Sequence, residues 1–454
     1  MSLPPTSFLN RCIHTFTTRL WPLVPIIHLP TFDPSRTHPL LLLSICSLGA
    51  LADGSDSAIR YSERLFEGVR KAIMVGSLTS TVGGSDSLEM LQAVTIGQTY
   101  AFISGNPLHL MTARTFHSSL CAAVQALYQR HLHSKSKDFQ HQSDELSWQQ
   151  WIKDESLNRL LSVGYIHNAE IAATTRRSAS MRAELWRLTT AAPDSIFLAK
   201  DEHQWKAMRS TDPRAQVEPH SILSTCAILA GLSSEITHCK IGPFVRSGDD
   251  DLIHKVSTSL IYWIERLLHS GPMEVSTRAM VLMLWHACFL LLLSDVDAVE
   301  RLPNFDHKND NSRTTLERLT RWKDPGTARR CATHALIILQ LLKCLRISDV
   351  PGIHVARASW HAGLILSAYA YYALQHQSPA DKDFDISTYP ELDAVRKLNM
   401  LEESDWVTVS RSLTASKCKA SAHMISSTLR SLGPWGDARY FAADVAKLLA
   451  FVET

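Results

Sequence analysis

Ala279-Met-Val-Leu-Met-Leu-Trp-His-Ala-Cys-Phe-Leu-Leu-Leu-Leu293 is the longest apolar run of the chain, bounded by Arg278 and by Ser294-Asp295. It is shorter than the ~20 residues a bilayer span needs, and it carries His286 in its middle. The run predicts a central buried helix. Working outward, almost every long segment places its apolar residues at helical rather than alternating period, and no train of strands stands out. The chain therefore reads as all-α: an irregular multi-helix single body whose two halves, 1–215 and 216–454, share a core. At 454 residues it is long enough to bury one.

Helix boundaries are legible in places. Asp86-Ser-Leu-Glu89 follows Gly83-Gly84 and has the D-x-x-E form of an N-terminal cap. Ser147-Trp-Gln-Gln150 reads as a capping box before an amphipathic segment reaching Leu161. Between them, Arg130 to Asp144 is polar and without period, which predicts a surface loop. Further breaks are expected at 210–219, 305–313 and 378–390. No repeat of fixed period is present.

Composition narrows the class. Hydrophobic residues make up 45% and charged residues 20%, too apolar for a disordered chain. Lys and Arg total 46 against 44 Asp and Glu, a net charge of +2. A duplex-binding surface draws its affinity from neutralised phosphates and so usually shows a strong basic excess. Strong direct nucleic-acid binding is therefore not expected, and neither is membrane association. The nine cysteines include no C-x-x-C pair, so neither a binuclear zinc cluster nor a C2H2 finger can be assembled from these residues. Scattered cysteines in apolar segments fit reduced core thiols in the nucleus or cytoplasm.

Several ordered motifs resemble one family. Pro25-Ile-Ile-His-Leu-Pro-Thr-Phe32 leads into Leu40-Leu-Leu-Leu-Ser-Ile-Cys-Ser-Leu-Gly-Ala-Leu51. After it come Ser87-Leu-Glu-Met-Leu-Gln-Ala93, Tyr100-Ala-Phe-Ile-Ser-Gly-Asn-Pro107 and Phe116-His-Ser-Ser-Leu120. Trp148-Gln-Gln-Trp-Ile-Lys-Asp-Glu-Ser-Leu-Asn-Arg159, Tyr165-Ile-His-Asn168 and Ala191-Ala-Pro-Asp-Ser-Ile-Phe197 complete the first half. Leu284-Trp-His286, Asp295 to Glu300, Gly352 to Ala358 and Gly433-Pro-Trp-Gly436 follow in the second. The set resembles the regulatory, or middle homology, domain of fungal-specific transcription factors. That resemblance implies an all-α regulatory body, normally partnered by a zinc DNA-binding module that these 454 residues do not contain. It implies transcriptional control, for example of secondary metabolism, through a DNA-binding partner, a second copy or an effector.

The residues leave a second reading open. Taking one continuous helix at ~100° per residue, His286, Asp297 and Glu300 fall on one face, with Asp295 opposite. A His with two carboxylates in register can bind a divalent cation or move protons. Under that reading the body is a biosynthetic enzyme holding a hydrophobic, isoprenoid-like substrate, with magnesium at Asp297 and Glu300. Under the regulatory reading the three residues are structural or solvated, and no cofactor or metal is expected. No glycine-rich nucleotide loop or nucleophile elbow occurs in the sequence. Trp148 and Trp151 are expected to face the core, with Glu155 and Arg159 as a surface ion pair. His131, His133 and His141 are expected to be loop histidines without a metal.

Overall fold

The computed structural model describes residues 4–75, 87–135, 144–175, 179–181, 190–210, 221–241, 250–268, 273–304, 322, 325–346, 348–375, 386–397, 413–432 and 435–453. All regular structure among them is helical. The chain divides into two units, Met1–Ala172 with Ala179–Gly231, and Ala173–Ser178 with Leu232–Thr454.

The first unit contains α1 (Thr6–Thr15), α2 (Pro39–Asp53), α3 (Asp56–Val75), α4 (Ser87–Ile103), α5 (Pro107–Lys135), α6 (Asp144–Thr175) up to Ala172, the short α7 (Asp194–Phe197) and α8 (Glu202–Ser210). The helix α9 (Ile222–Ile241) carries the division between the units. In the first unit α2 is central, packed by α1, α3 and α4. It is apolar on nearly every side and so is buried, through Leu41, Ile45, Leu48 and Ala50. Its start is set by Pro39 and by the His38 ring, whose Nδ1 accepts from the Leu40 amide at 3.2 Å. It ends at Gly54, whose φ of 77° is left-handed. At Gly49 a β-carbon would stand 2.1 Å from the Cys12 carbonyl oxygen, so glycine is what lets α1 lie against α2.

Between α1 and α2 runs a buried strap containing Val24, Ile26 and Ile27. Buried backbone outside a helix must find side-chain partners. Trp21 Nε1 donates to the Ile27 carbonyl at 2.8 Å, and Gln92 Nε2 on α4 donates to the Ile26 carbonyl at 2.6 Å. The helix expected after Asp86 does begin at Ser87, and one capping assignment, at Ser147, needs correction. Glu89 accepts from the His38 amide at 2.6 Å and so holds the start of α2, while Asp86 lies outside the described residues. Ser147 sits inside α6, which starts at Asp144, and Gln150 donates along the helix to Asp154 at 2.8 Å. The polar stretch from Arg130 begins as helix, because α5 continues to Lys135; residues 136–143, with His141, lie outside the described residues.

The second unit holds α10 (Asp250–Leu268), α11 (Val275–Leu293), α12 (Val296–Val299), α13 (Pro325–Lys343), α14 (Val355–Gln375), α15 (Pro390–Arg396), α16 (Ala415–Ser431) and α17 (Ala438–Glu453). Here α11 packs on α13 and α14, α14 on α16 and α17, and α10 on α15. The apolar run is a buried helix, as its composition requires, and it begins one turn before the run, at Val275. With 19 residues it is long and apolar enough to cross a membrane, as is Ile222–Lys240, but most of each helix is buried inside the protein. A helix end leaves carbonyls unpaired, and at α11 Lys240 supplies the partner. Its ammonium donates to the carbonyls of Leu291, Leu292 and Ser294, the last at 2.7 Å. The positive charge also suits the negative end of the helix dipole.

Candidate functional site

His286 sits in the middle of α11 and is fully buried. Its Nδ1 lies 2.8 Å from Nδ1 of His334, the corresponding buried histidine of α13. His334 Nε2 faces Glu391 Oε1 at 3.8 Å, and Arg330 Nε donates to the same oxygen. Glu391 is 1% exposed yet lies in the first turn of α15, where the helix dipole favours a carboxylate. Burial pushes Glu391 up, but His334 and Arg330 outweigh it, and the carboxyl titrates below its ordinary range. Burial pushes both histidines down, so both rings are neutral.

Neutral rings must divide one proton between the facing Nδ1 atoms. If His286 donates, His334 carries its proton on Nε2 and points it at the carboxylate. The opposite tautomer would aim a lone pair at Glu391. The first arrangement is favoured electrostatically, but at 3.8 Å His334 Nε2 faces Glu391 without a hydrogen bond, and neither His286 Nε2 nor His334 Nε2 has a hydrogen-bond partner.

Of the sequence-predicted group, Glu300 does not stand beside His286. The helix breaks at Ser294, which is extended, so one continuous helical face from 286 to 300 does not exist. Asp295 caps α12 by accepting from the Ala298 amide at 3.1 Å. Glu300 pairs with buried His361 on α14, Oε1 to Nε2 at 2.7 Å. It is therefore neither a solvated helix end nor a partner of His286. Asp297 lies in α12, and its side chain is outside what the structure describes. Among the described residues, no three His, Cys, Asp or Glu side chains converge as metal ligands.

The first unit has its own buried charge centre, built on α6. Arg159 was expected at the surface; instead it is 0% exposed and Glu155 is 3% exposed. Arg159 Nε donates to Glu155 Oε1 at 2.8 Å. Nη1 reaches Asp194 Oδ1 at 2.8 Å and the Pro25 carbonyl at 3.3 Å, and Nη2 donates to the Ala192 carbonyl at 2.6 Å. The guanidinium also lies over Phe197, 4.1 Å from the ring centre. Glu155 accepts in turn from the Ala192 amide at 2.8 Å. Burial pushes Glu155 up to about 6, against the pull of Arg159, which leaves it ionised at neutral pH. One arginine thus ties the strap, α6 and the 191–197 segment together. Trp148 and Trp151 do face the interior, where they pack with Ala199, Ile196 and Trp205.

A cavity of about 290 Å³ lies among α3, α4 and α5, walled by Phe66, Val69, Ile73 and Val94. Gln98 lines it, but its amide is engaged by the Ala113 carbonyl and by His117 and His167 at 3.1–3.3 Å. Cys121 lies 3.1 Å from His117 Nε2. Burial raises that thiol to about 12 and lowers His117, so they form a neutral pair rather than a thiolate–imidazolium nucleophile.

Sequence reasoning found His286 and missed His334, Glu391 and Arg330. One local signal existed: His334, like His286, interrupts an otherwise apolar helix. Glu391 gives none, because an acid after Pro390 looks like any solvated first turn.

The model of the family described as "Fungal specific transcription factor domain" matches residues 13–324. No curated protein matches the chain significantly, and no solved structure does. The matched span includes the strap, its Arg159 anchor, the 191–197 segment and α11, and it covers well over half of the 454 residues. The chain belongs to the fungal-specific transcription factor domain family.

Proposed function

We propose that this chain is a transcription-factor-like regulatory protein that works by binding a partner or effector rather than by reading DNA unaided. The observation that carries this reading is the family match over residues 13–324. The near-balance of 46 basic and 44 acidic residues supports the second half of it, since little net charge is available to neutralise phosphates. In this reading the partner is a DNA-binding protein or a second copy of the chain. The two halves act as one body, the site of action is the nucleus, and the output is control of a fungal metabolic pathway.

The test is to fuse the chain to a heterologous DNA-binding module in a fungal host carrying the matching reporter. A severalfold rise or fall in reporter output is expected. A stably expressed fusion that leaves the reporter at baseline would count against a regulatory body. In parallel, the purified chain should bind duplex DNA weakly and without sequence preference. A salt-resistant, sequence-specific complex would refute the partner-dependent part.

A further inference from the structure

The second unit contains a cavity of about 520 Å³ whose one wall is a single face of α10: Ile253, His254, Ser257, Ile261, Tyr262 and Glu265. The other wall is Arg330 of α13 with Pro390 and Glu391 of α15. Two polar groups of this lining are left open by the protein. Ser257 is 9% exposed, and its hydroxyl has no hydrogen-bond partner. Arg330 gives Nε to Glu391, and among the described residues neither of its Nη atoms meets an acceptor. Glu391 neutralises the charge and fixes the guanidinium plane, while Phe289 and Tyr389 lie 5.9 and 5.4 Å from the Arg330 carbon. What remains is a rigid fork of four N–H donors beside an unpaired buried hydroxyl. That geometry matches a carboxylate, which accepts from both Nη atoms and from a serine.

We propose that this cavity binds a small monocarboxylic acid with an apolar body. The carboxylate sits on the Arg330 fork and takes the Ser257 hydroxyl bond, and the body lies along Ile253, Ile261 and Tyr262. Among the described lining residues Arg330 is the one arginine or lysine, so a second acidic group finds no fork of its own and a dicarboxylate fits worse. The inference rests on the regulatory reading only for its biological sense, in which the acid is the effector; the binding itself is independent of it.

The test uses 4-phenylbutyrate titrated calorimetrically into the full chain, with 4-phenylbutanol, 4-phenylbutylamine and phenylsuccinate as comparators. The acid should bind, and each comparator should bind at least about tenfold more weakly. Ser257→Ala removes an unsatisfied hydroxyl, so the fold should hold while affinity for the acid drops about three- to tenfold. Arg330→Lys keeps the charge but loses the fork and should weaken the acid by about tenfold or more. If Arg330→Lys does not fold, Ser257→Ala decides alone. Absence of acid binding at millimolar concentration, equal binding of the alcohol or amine, or an unchanged affinity in Ser257→Ala would each overturn the proposal. The reporter fusion needs no ligand, so a failure here is distinguishable from a failure of the regulatory reading.

Discussion

Arg159 in the first unit and Arg330 in the second are both arginines paired with a buried glutamate, but they are used differently. Arg159 is wholly enclosed and spends Nε and both Nη atoms on four acceptors drawn from three stretches of chain. Arg330 is 18% exposed at its side chain, spends Nε on Glu391 and lines a cavity with the rest. An arginine whose donors are all taken has nothing to offer a ligand and acts as a lock. One held at a single nitrogen is positioned yet still open. The comparison separates what holds this body together from what it can recognise.

The most disruptive way to break the second centre is from beneath. Leu290 on α11 is fully buried next to Phe289, which lies under Arg330, whereas Leu291 is half-buried. Leu290→Asp should cost several kcal/mol, as an unpaired buried charge does. Leu291→Asp should cost about 1 kcal/mol or less. Denaturant titration of the two variants checks this; equal losses would mean that burial along α11 has been misassigned. On the first unit, Arg159→Leu should cost about 3–5 kcal/mol, because Glu155 is left buried without its cation. A loss under about 1 kcal/mol in the same titration would show that the centre is not a lock.

Acid sharpens the contrast in a graded way. His28, on the strap, is lowered by burial from 6.5 to about 4, and His167 to about 3. A histidine with a depressed folded value contributes stability that is present above 6.5 and is lost as pH falls through the folded value. Each should remove about 1.4 kcal/mol per pH unit across that window. His286 and His334, both lowered, act with the same sign in the second unit. Glu155 opposes them: raised to about 6, it contributes stability that fades as pH climbs from 4.5 towards 6. The histidines outnumber it, so net stability should fall from pH 6.5 to 4, and His28→Gln should flatten the slope. A profile unchanged by His28→Gln would contradict the assignment. A small effect is also expected at Gly54, where no atom lies within 4 Å of a built β-carbon and only the left-handed φ is at stake. Gly54→Ala should cost about 1 kcal/mol in thermal unfolding.

What could be read in the sequence follows the range of the interaction. The apolar run at 279–293 announced α11, because a helix buried on every side must be apolar on every side. The Trp148–Trp151 spacing announced an interior face of α6 for the same reason. Arg159 was misread because its i−4 glutamate resembles a solvated helix pair, while its decisive partners lie 35 residues away at Asp194 and 134 away at Pro25. The His286, Asp297 and Glu300 alignment failed on a local event, the break at Ser294, which a helical wheel assumes away. Glu300 found His361 instead, 61 residues on. Burial of a charge is decided by packing between distant segments, and helical periodicity carries no record of it.

The most direct test of the contrast between the two centres is hydrogen exchange on Arg159→Lys and Arg330→Lys, measured side by side. Lysine keeps the charge in both but can replace a guanidinium fork at neither. Arg159→Lys should speed exchange sharply in the strap and at residues 190–197, where the Ala192 amide is held by Glu155. Arg330→Lys should leave α10, α13 and α15 within a few-fold of the unaltered protein, because only one bond changes hands. Equal loosening in the two variants, or greater loosening at Arg330, would contradict the division between lock and open site.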